Sequence, residues 1–103
     1  MIHVIAFITT KPGRRAEVLA EFAKVIPLVH AEAGCIEYGA TVDMPGAGAI
    51  QTPLGADSFA VVEKWESLAA LKAHGAAEHM KAYAARVGDM LANRVIHVLE
   101  PVA

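Results

Sequence analysis

The 103-residue sequence has few of the side chains that most often hold a cofactor or form a disulfide. Its single cysteine, Cys35, excludes an internal disulfide and fits a reducing, cytoplasmic compartment. The sequence contains no glycine-rich phosphate loop, no cysteine pair with metal-ligand spacing and no GxSxG nucleophile elbow. We therefore expect a protein that uses neither a metal nor an organic cofactor.

Charge is also scarce, whereas apolar residues are abundant. Charged residues make up 19% of the chain, the net charge is -2, and the lysines and arginines are scattered, so no basic stripe favours nucleic acid. No apolar run approaches the ~20 residues that a membrane helix needs. The hydrophobic share of 55% exceeds the usual share for a small soluble domain, and this excess indicates a subunit interface.

The hydrophobic period changes repeatedly along the chain between the strand and helix values. It predicts strands over 2–10, 35–43, 58–66 and 94–100, and helices over 14–32, 68–75 and 77–91. Counting the last two helices as one unit, the order is β-α-β-β-α-β, an α+β ferredoxin-like fold, and we expect a single domain over 1–103. Helices cover only one face of such a sheet. Because 2–10 is apolar on both faces, a second copy is expected to cover the other face in a homodimer.

Residues 43–57, DMPGAGAIQTPLGAD, interrupt this pattern like an insertion. A segment this long without a period is uncommon inside a compact domain. It is either a flexible hairpin connection, or a flap over a pocket or an arm that reaches a partner subunit. Ile50 and Leu54 are the only large apolar side chains that could anchor it.

Most side chains capable of chemistry lie between 59 and 83. Glu63 and Trp65 share one face of a predicted strand. Trp65 is either a core residue or a flat wall for an aromatic ligand. In the second case its N–H would bind a polar group at the edge of that ligand. Glu63 points into an apolar layer, so it needs a partner or a function: an ion pair, a dimer contact or a place in a ligand pocket.

Two histidines follow, His74 and His79. Five residues apart on one continuous helix, they would diverge by about 140°, unlike the four-residue spacing of metal-binding pairs, so no metal site is predicted. A break near Gly75 would re-aim them. Each is either a helix-surface residue or a general base at a pocket rim, because histidine titrates near neutrality.

Four further residues complete the set of candidate ligand contacts. Tyr38 and Tyr83 are core-edge residues whose hydroxyls could reach a ligand. Arg86 lies either on a solvated helix face or against a ligand. Phe7, on the first strand, is a further candidate contact.

Several segments, in this order and spacing, resemble the antibiotic biosynthesis monooxygenase (ABM) domain. They are KPGRRAEVLAEF, EAGCIEY, VVEKWESLAALKAH, EHMKAY and the closing HVLEPV. The resemblance covers almost the whole chain except 44–56, and E-x-W-E-S is its most specific part. It implies a dimeric α+β barrel with a pocket between each sheet and its helices.

The resemblance also implies a choice among activities. Members of this family include cofactor-independent monooxygenases of quinols or polycyclic phenols, haem-degrading enzymes and a sugar-phosphate isomerase. The haem-degrading branch combines a Trp and a His, which Trp65 and His79 resemble, with an Asn on the first strand that is missing here. We therefore expect a quinol-type monooxygenase in which His79 or His74 is the base and Trp65 holds the ring.

Two alternatives remain open. A proton-transfer isomerase or cyclase would work without oxygen, and a phosphorylated substrate would need a basic cluster, for which Arg86, Lys81 and Arg94 are available. A non-catalytic ligand-binding or stress-response dimer of the same fold would have its pocket filled by side chains.

Overall fold

A computed structural model describes all residues from 1 to 103. Seven main elements follow one another: β1 (Ile2–Thr10), α1 (Arg15–His30), β2 (Cys35–Thr41), β3 (Ser58–Trp65), α2 (Leu68–Gly75), α3 (Glu78–Val87) and β4 (Leu91–Leu99). Short 3-10 turns occupy Gly48–Ile50 and Gly88–Met90. None of the helices has the length and apolar character needed to cross a membrane.

The four strands form one antiparallel sheet in the order β2-β3-β1-β4. This order, with helices after β1 and β3, is the ferredoxin-like arrangement that the sequence predicts. The helices lie on one face of the sheet, where the apolar stripe of α1 packs against alternate residues of β1 and β3. The buried stripe consists of Val18, Phe22, Val25 and Val29.

The start of β4 differs from the prediction. Met90 and Leu91 continue the apolar helical period of the preceding residues, so the sequence places them in a helix that ends at 91. In the structure α3 ends at Val87, the 3-10 turn follows, and β4 already begins at Leu91. The reason is pairing with β1: Thr10 lies opposite Leu91, and the Lys11 N–H donates to the Met90 carbonyl at 2.8 Å.

A β-bulge near the start of β4 determines which of its residues face the helices. Thr9 pairs with Asn93 and Thr10 pairs with Leu91, which leaves Ala92 without a partner. Residues three apart on a regular strand face opposite sides. Because of the extra residue, Leu91 and the later Arg94, opposite Ile8, both lie on the helix face.

The segment from 43 to 57 is held by its own polar contacts. The Asp43 carboxylate accepts hydrogen bonds from the backbone N–H of Leu54 at 2.8 Å and of Gly55 at 3.0 Å. These two bonds hold the pKa of Asp43 below its ordinary value. Ile50, expected to be an anchor, is 93% exposed, because Asp43 rather than an apolar contact closes the segment.

The second face of the sheet is apolar and uncovered within one chain. Phe7, Val95 and Leu99 lie on it and are between 38% and 44% exposed. His97 lies on the same face, its ring edge-on to Phe7 with centroids 6.1 Å apart. Because β1 is apolar on both sides, this is the face that the sequence predicts a second copy to cover.

Candidate active site

A cavity of about 320 Å³ lies between the sheet and the helices. Most of its wall is apolar, and the polar part comes from Tyr38, Glu63, His74, Lys81, Tyr83 and Arg94. Its volume is at the small end of the range for small-molecule sites. It thus suits a compact, largely apolar ligand with a few polar atoms.

The two predicted histidines meet on one carboxylate, that of Glu32. His74 Nδ1 lies 3.0 Å from Oε2 of Glu32, and His79 Nε2 lies 2.7 Å from the same oxygen. The helix break makes this convergence possible: α2 ends at Gly75, and His79 belongs to the first turn of α3. Ser67 begins α2 by accepting a hydrogen bond from the Ala70 N–H.

Glu32 fixes the proton positions on both rings. An ionised carboxylate can only accept, so the hydrogen of a neutral imidazole lies on Nδ1 of His74 and on Nε2 of His79. This assignment follows from the hydrogen-bond network. Nε2 of His74 then carries a lone pair.

That lone pair is accessible. Every buried side-chain nitrogen and oxygen has a hydrogen-bond partner, whereas Nε2 of His74 has none, so this atom lies on accessible surface. His74 is only 7% exposed and lines the cavity. The arrangement provides a base, oriented from behind by Glu32, at the wall of an apolar cavity.

Glu63 and Trp65 form the second polar unit of the site. Their side chains share the helix face of β3, and the indole N–H donates to Oε1 of Glu63 at 2.9 Å. Glu63 is 7% exposed, and its other oxygen has no partner and lines the cavity. Burial raises the pKa of Glu63, while the bond from Trp65 and the nearby His74 act in the opposite direction.

Two tyrosine hydroxyls without hydrogen-bond partners also belong to the cavity, those of Tyr38 and Tyr83. The Tyr38 ring stacks on Phe22 at 5.2 Å and meets the His74 ring edge-on at 5.3 Å. Burial raises the pKa of Tyr38 well above its ordinary value and that of Tyr83 to about 12. Both phenols therefore stay neutral at physiological pH and can donate a hydrogen bond.

Three predicted contacts lie elsewhere. Trp65 is fully buried and does not line the cavity, because its N–H is used by Glu63 and its ring packs on His74 with centroids 4.7 Å apart. Phe7 lies on the opposite face of the sheet, since its neighbours Ala6 and Ile8 take the helix face. The Arg86 guanidinium donates to Glu21 at 2.8 Å on the outer side of the helices.

His79 contributes to the site indirectly. It lines a shallow surface pocket with Arg86 rather than the cavity, and it reaches the site only through Glu32. No residue between 43 and 57 lines the cavity, so this segment is not a flap over it in this chain. No group of three or more His, Cys, Asp or Glu side chains is arranged to hold a metal ion.

Glu32 is the residue that sequence reasoning missed. It lies just beyond α1, between Ala31 and Ala33, and 42 residues separate it from His74, so nothing near it in the sequence indicates the contact. In the structure the chain there is held beside the end of β3, since the Glu66 N–H donates to the Gly34 carbonyl at 2.8 Å. Gly34 has a φ of +84°, and a β-carbon on it would lie 2.6 Å from the Ala70 side chain, so this turn lies tightly against α2.

The comparisons with known proteins agree with this architecture. The family model described as antibiotic biosynthesis monooxygenase matches residues 1–86. The chain is 43% identical over 104 residues to an Escherichia coli K12 protein named "Probable quinol monooxygenase YgiN", with 98% of each chain covered.

Two solved structures are also similar. PA3566 from Pseudomonas aeruginosa matches with a TM-score of 0.82 and 27% identity, over 99% of this chain and 94% of that one. Rv0793 from Mycobacterium tuberculosis matches with a TM-score of 0.80 and 26% identity, over 99% of this chain and 95% of that one.

Proposed function

The chain belongs to the antibiotic biosynthesis monooxygenase family, and we propose that it oxidises a quinol-like aromatic with O2, using no bound cofactor. In the proposed reaction a quinol and O2 give a hydroxyquinone and water. One oxygen atom enters the ring and the other leaves as water, so the quinol supplies all the electrons and no further reductant is needed. The observation that carries the proposal is the accessible Nε2 of His74 in a largely apolar cavity.

His74 starts the reaction as a general base. Its Nε2 takes the proton of the quinol hydroxyl, and the resulting phenolate passes one electron to O2. Combination of the two radicals at a ring carbon gives a hydroperoxide, which loses water to form the hydroxyquinone. A positioned base of this kind contributes typically 10²–10⁴-fold.

The neighbours of His74 support the anion that forms. The Tyr38 hydroxyl is neutral and has no partner within the chain, so it can donate to a phenolate oxygen. The apolar wall keeps water away from the anion and strengthens that hydrogen bond. Trp65 takes part as a positioning residue, since it packs against His74 and binds Glu63.

The assay is oxygen uptake with menadiol, corrected for autoxidation, together with measurement of hydrogen peroxide. A monooxygenase consumes one O2 per quinol and releases no peroxide, whereas simple oxidation to the quinone releases one peroxide per O2. We expect His74→Ala to lower kcat by at least about 100-fold. His79→Ala should lower it less, because the remaining bond still orients His74. Lys72→Ala is the control, since that exposed residue of α2 lies outside the cavity.

The alternatives give different results in the same assay. Turnover of a carbonyl substrate without oxygen uptake would favour a proton-transfer isomerase or cyclase. A non-catalytic dimer predicts a pocket filled by side chains, and the 320 Å³ cavity argues against it. If His74→Ala keeps full activity in a folded protein, the assignment of the base is wrong.

We also propose that two copies of the chain associate through the second face of the sheet. The apolar side chains exposed there, including Phe7, Val95 and Leu99, support this assembly. Sedimentation analysis should give a dimer, and Val95→Lys should shift it toward the monomer because an ammonium would be buried in the interface. A wild-type protein that stays monomeric at all concentrations would refute the proposal.

A further inference from the structure

The cavity has a cationic end, which carries Arg94 of β4 and lies away from Glu63. Lys81 of α3 also lines the cavity, although the chain as a whole is net negative. None of the seven ion pairs includes Arg94, and it makes no side-chain hydrogen bond. Lys81 has only a loose contact of 3.5 Å with Glu78, whose side chain is 92% exposed. Arg94 is thus available to a ligand at this end, and Lys81 is a second cation on the cavity wall.

The register of the sheet separates the two polar ends of the cavity. Glu63 pairs with Val4, and Arg94 pairs with Ile8, four residues further along β1. Two strand spacings across the sheet and four residues along it put the α-carbons of Glu63 and Arg94 roughly 16 Å apart. Apolar side chains, among them Val61 and Ile96, line the cavity between them. A ligand that spans both ends therefore needs an apolar body with a polar group at each end.

The cavity contains no acid at the cationic end. Glu63 is the only carboxylate that lines it, and this residue lies at the buried end. An anion placed at this end would meet Arg94 without a competing carboxylate on the cavity wall. Guanidinium is also the side chain best shaped to bind a carboxylate through two hydrogen bonds.

From this polarity we infer the substrate class: a fused two-ring phenol or quinol that carries an anionic group on the ring away from its reactive hydroxyl. The hydroxyl lies near His74 and Tyr38, the rings fill the apolar middle, and the anion binds Arg94, with Lys81 as a second cation on the cavity wall. This inference rests on the proposed function for the reactive end of the ligand. The cationic end can be tested separately by binding alone.

The test uses naphthols, compared by titration calorimetry. The ligand 6-hydroxy-2-naphthoate carries its hydroxyl and carboxylate at opposite ends, and 6-methyl-2-naphthol replaces the carboxylate by a methyl group. A third ligand, 3-hydroxy-2-naphthoate, has the two groups side by side. We expect the 6-hydroxy acid to bind at least about 5-fold more tightly than either of the others, in a salt-dependent manner.

Variants identify the cations. Arg94→Gln should weaken binding of 6-hydroxy-2-naphthoate by about 5- to 20-fold and leave 6-methyl-2-naphthol unchanged, because a bond to a charged group at a solvated rim is lost. Lys81→Gln should have a smaller effect of the same kind. Arg14→Gln is the matched control, since it removes one arginine from an exposed pair with Glu17 outside the cavity.

The outcomes separate this inference from the proposed function. Equal affinity for the three ligands would refute the anion site at the cationic end. The same holds for an Arg94→Gln variant that weakens the binding of all three equally. Both conclusions are independent of oxygen uptake with menadiol. The expected selectivity without any oxygen uptake would keep the ligand class and refute the monooxygenase. Preference for the side-by-side isomer would place the anion beside His74 and would also overturn the inference.

Discussion

Replacing Glu32 by Gln tests the contact that organises the site. The change keeps size and shape but removes the negative charge that accepts both histidine N–H groups, at 3.0 Å and 2.7 Å. A hydrogen bond to a charged group contributes about 1.5–3 kcal/mol, and a neutral one about half as much. Because both bonds are weakened and all three side chains are largely buried, the loss in unfolding free energy should be about 2 kcal/mol.

That loss should lower the melting temperature by roughly 10 °C for a domain of this size. The effect on turnover has a different origin. The amide oxygen can take the place of Oε2 and accept from both rings, but the amide NH2 then lies where Oε1 was, 3.2 Å from Nδ1 of His74. A second donor facing that nitrogen means that the proton of His74 no longer has a fixed position. Partners that orient a functional histidine typically account for about 10–100-fold in activity. We expect kcat for menadiol to fall by that factor, with KM nearly unchanged, because Glu32 does not line the cavity.

Three measurements check this prediction: thermal unfolding by circular dichroism, oxygen uptake, and the ¹⁵N chemical shifts of the His74 ring, which report its tautomer. Glu37→Gln is the control, since it makes the same change in a solvent-exposed pair with Lys64, which should contribute less than about 1 kcal/mol. A Glu32→Gln protein with unaltered melting temperature, tautomer and kcat would refute the role given to this carboxylate.

Two further predictions concern stability. Burial raises the folded-state pKa of Glu63, so its contribution to stability is fully present below the unfolded pKa of about 4.3 and is lost as pH rises through the folded pKa. Urea titrations from pH 4 to 8 should therefore show wild type losing stability relative to Glu63→Gln, and parallel pH profiles would contradict this. Gly34→Ala should cost at least about 2 kcal/mol, because its φ is +84° and the added β-carbon would lie 2.6 Å from that of Ala70. Gly13→Ala should cost less, about 1–2 kcal/mol, since its φ is similar but nothing lies within 4 Å, and an equal loss at both glycines would show that the contact with α2 is unimportant.

The parts of the fold that depend on local patterns could be predicted from the sequence. The apolar stripe of α1 and the doubly apolar β1 each follow from spacing within a few residues, and each is present. The start of β4 could not be predicted in this way, because Met90 and Leu91 satisfy the helical period as well as the strand. Pairing with Thr10, 81 residues earlier than Leu91, decides between the two.

The candidate site shows the same limit. The positions of His74 and His79 around a helix break were predictable, and so was the shared face of Glu63 and Trp65. Their common partner was not, because Glu32 comes from another element and nothing near it in the sequence marks it as buried.

Trp65 and Phe7 fail as ligand contacts for opposite reasons. The face of Trp65 was predicted correctly, but the burial that makes it a good wall for a ligand also packs it completely into the core. Phe7 follows the alternation of β1 onto the second face of the sheet. An aromatic side chain beside a predicted pocket is therefore weak evidence for a ligand contact unless both its face and its remaining accessible surface are known.

Ala92, the unpaired residue of the bulge in β4, does not line the cavity, yet the bulge lets Leu91 and Arg94 reach the same side of the sheet although they are three residues apart. Deleting Ala92 would leave them two residues apart, and regular alternation would still put both on the helix face. Straightening the strand with Ala92 in place would separate them: either the leucine would leave the core or the guanidinium would turn to the opposite side of the sheet. The strand therefore tolerates the loss of one small residue at this point, whereas loss of the bulge with Ala92 kept would force an exchange between folding energy and ligand selectivity.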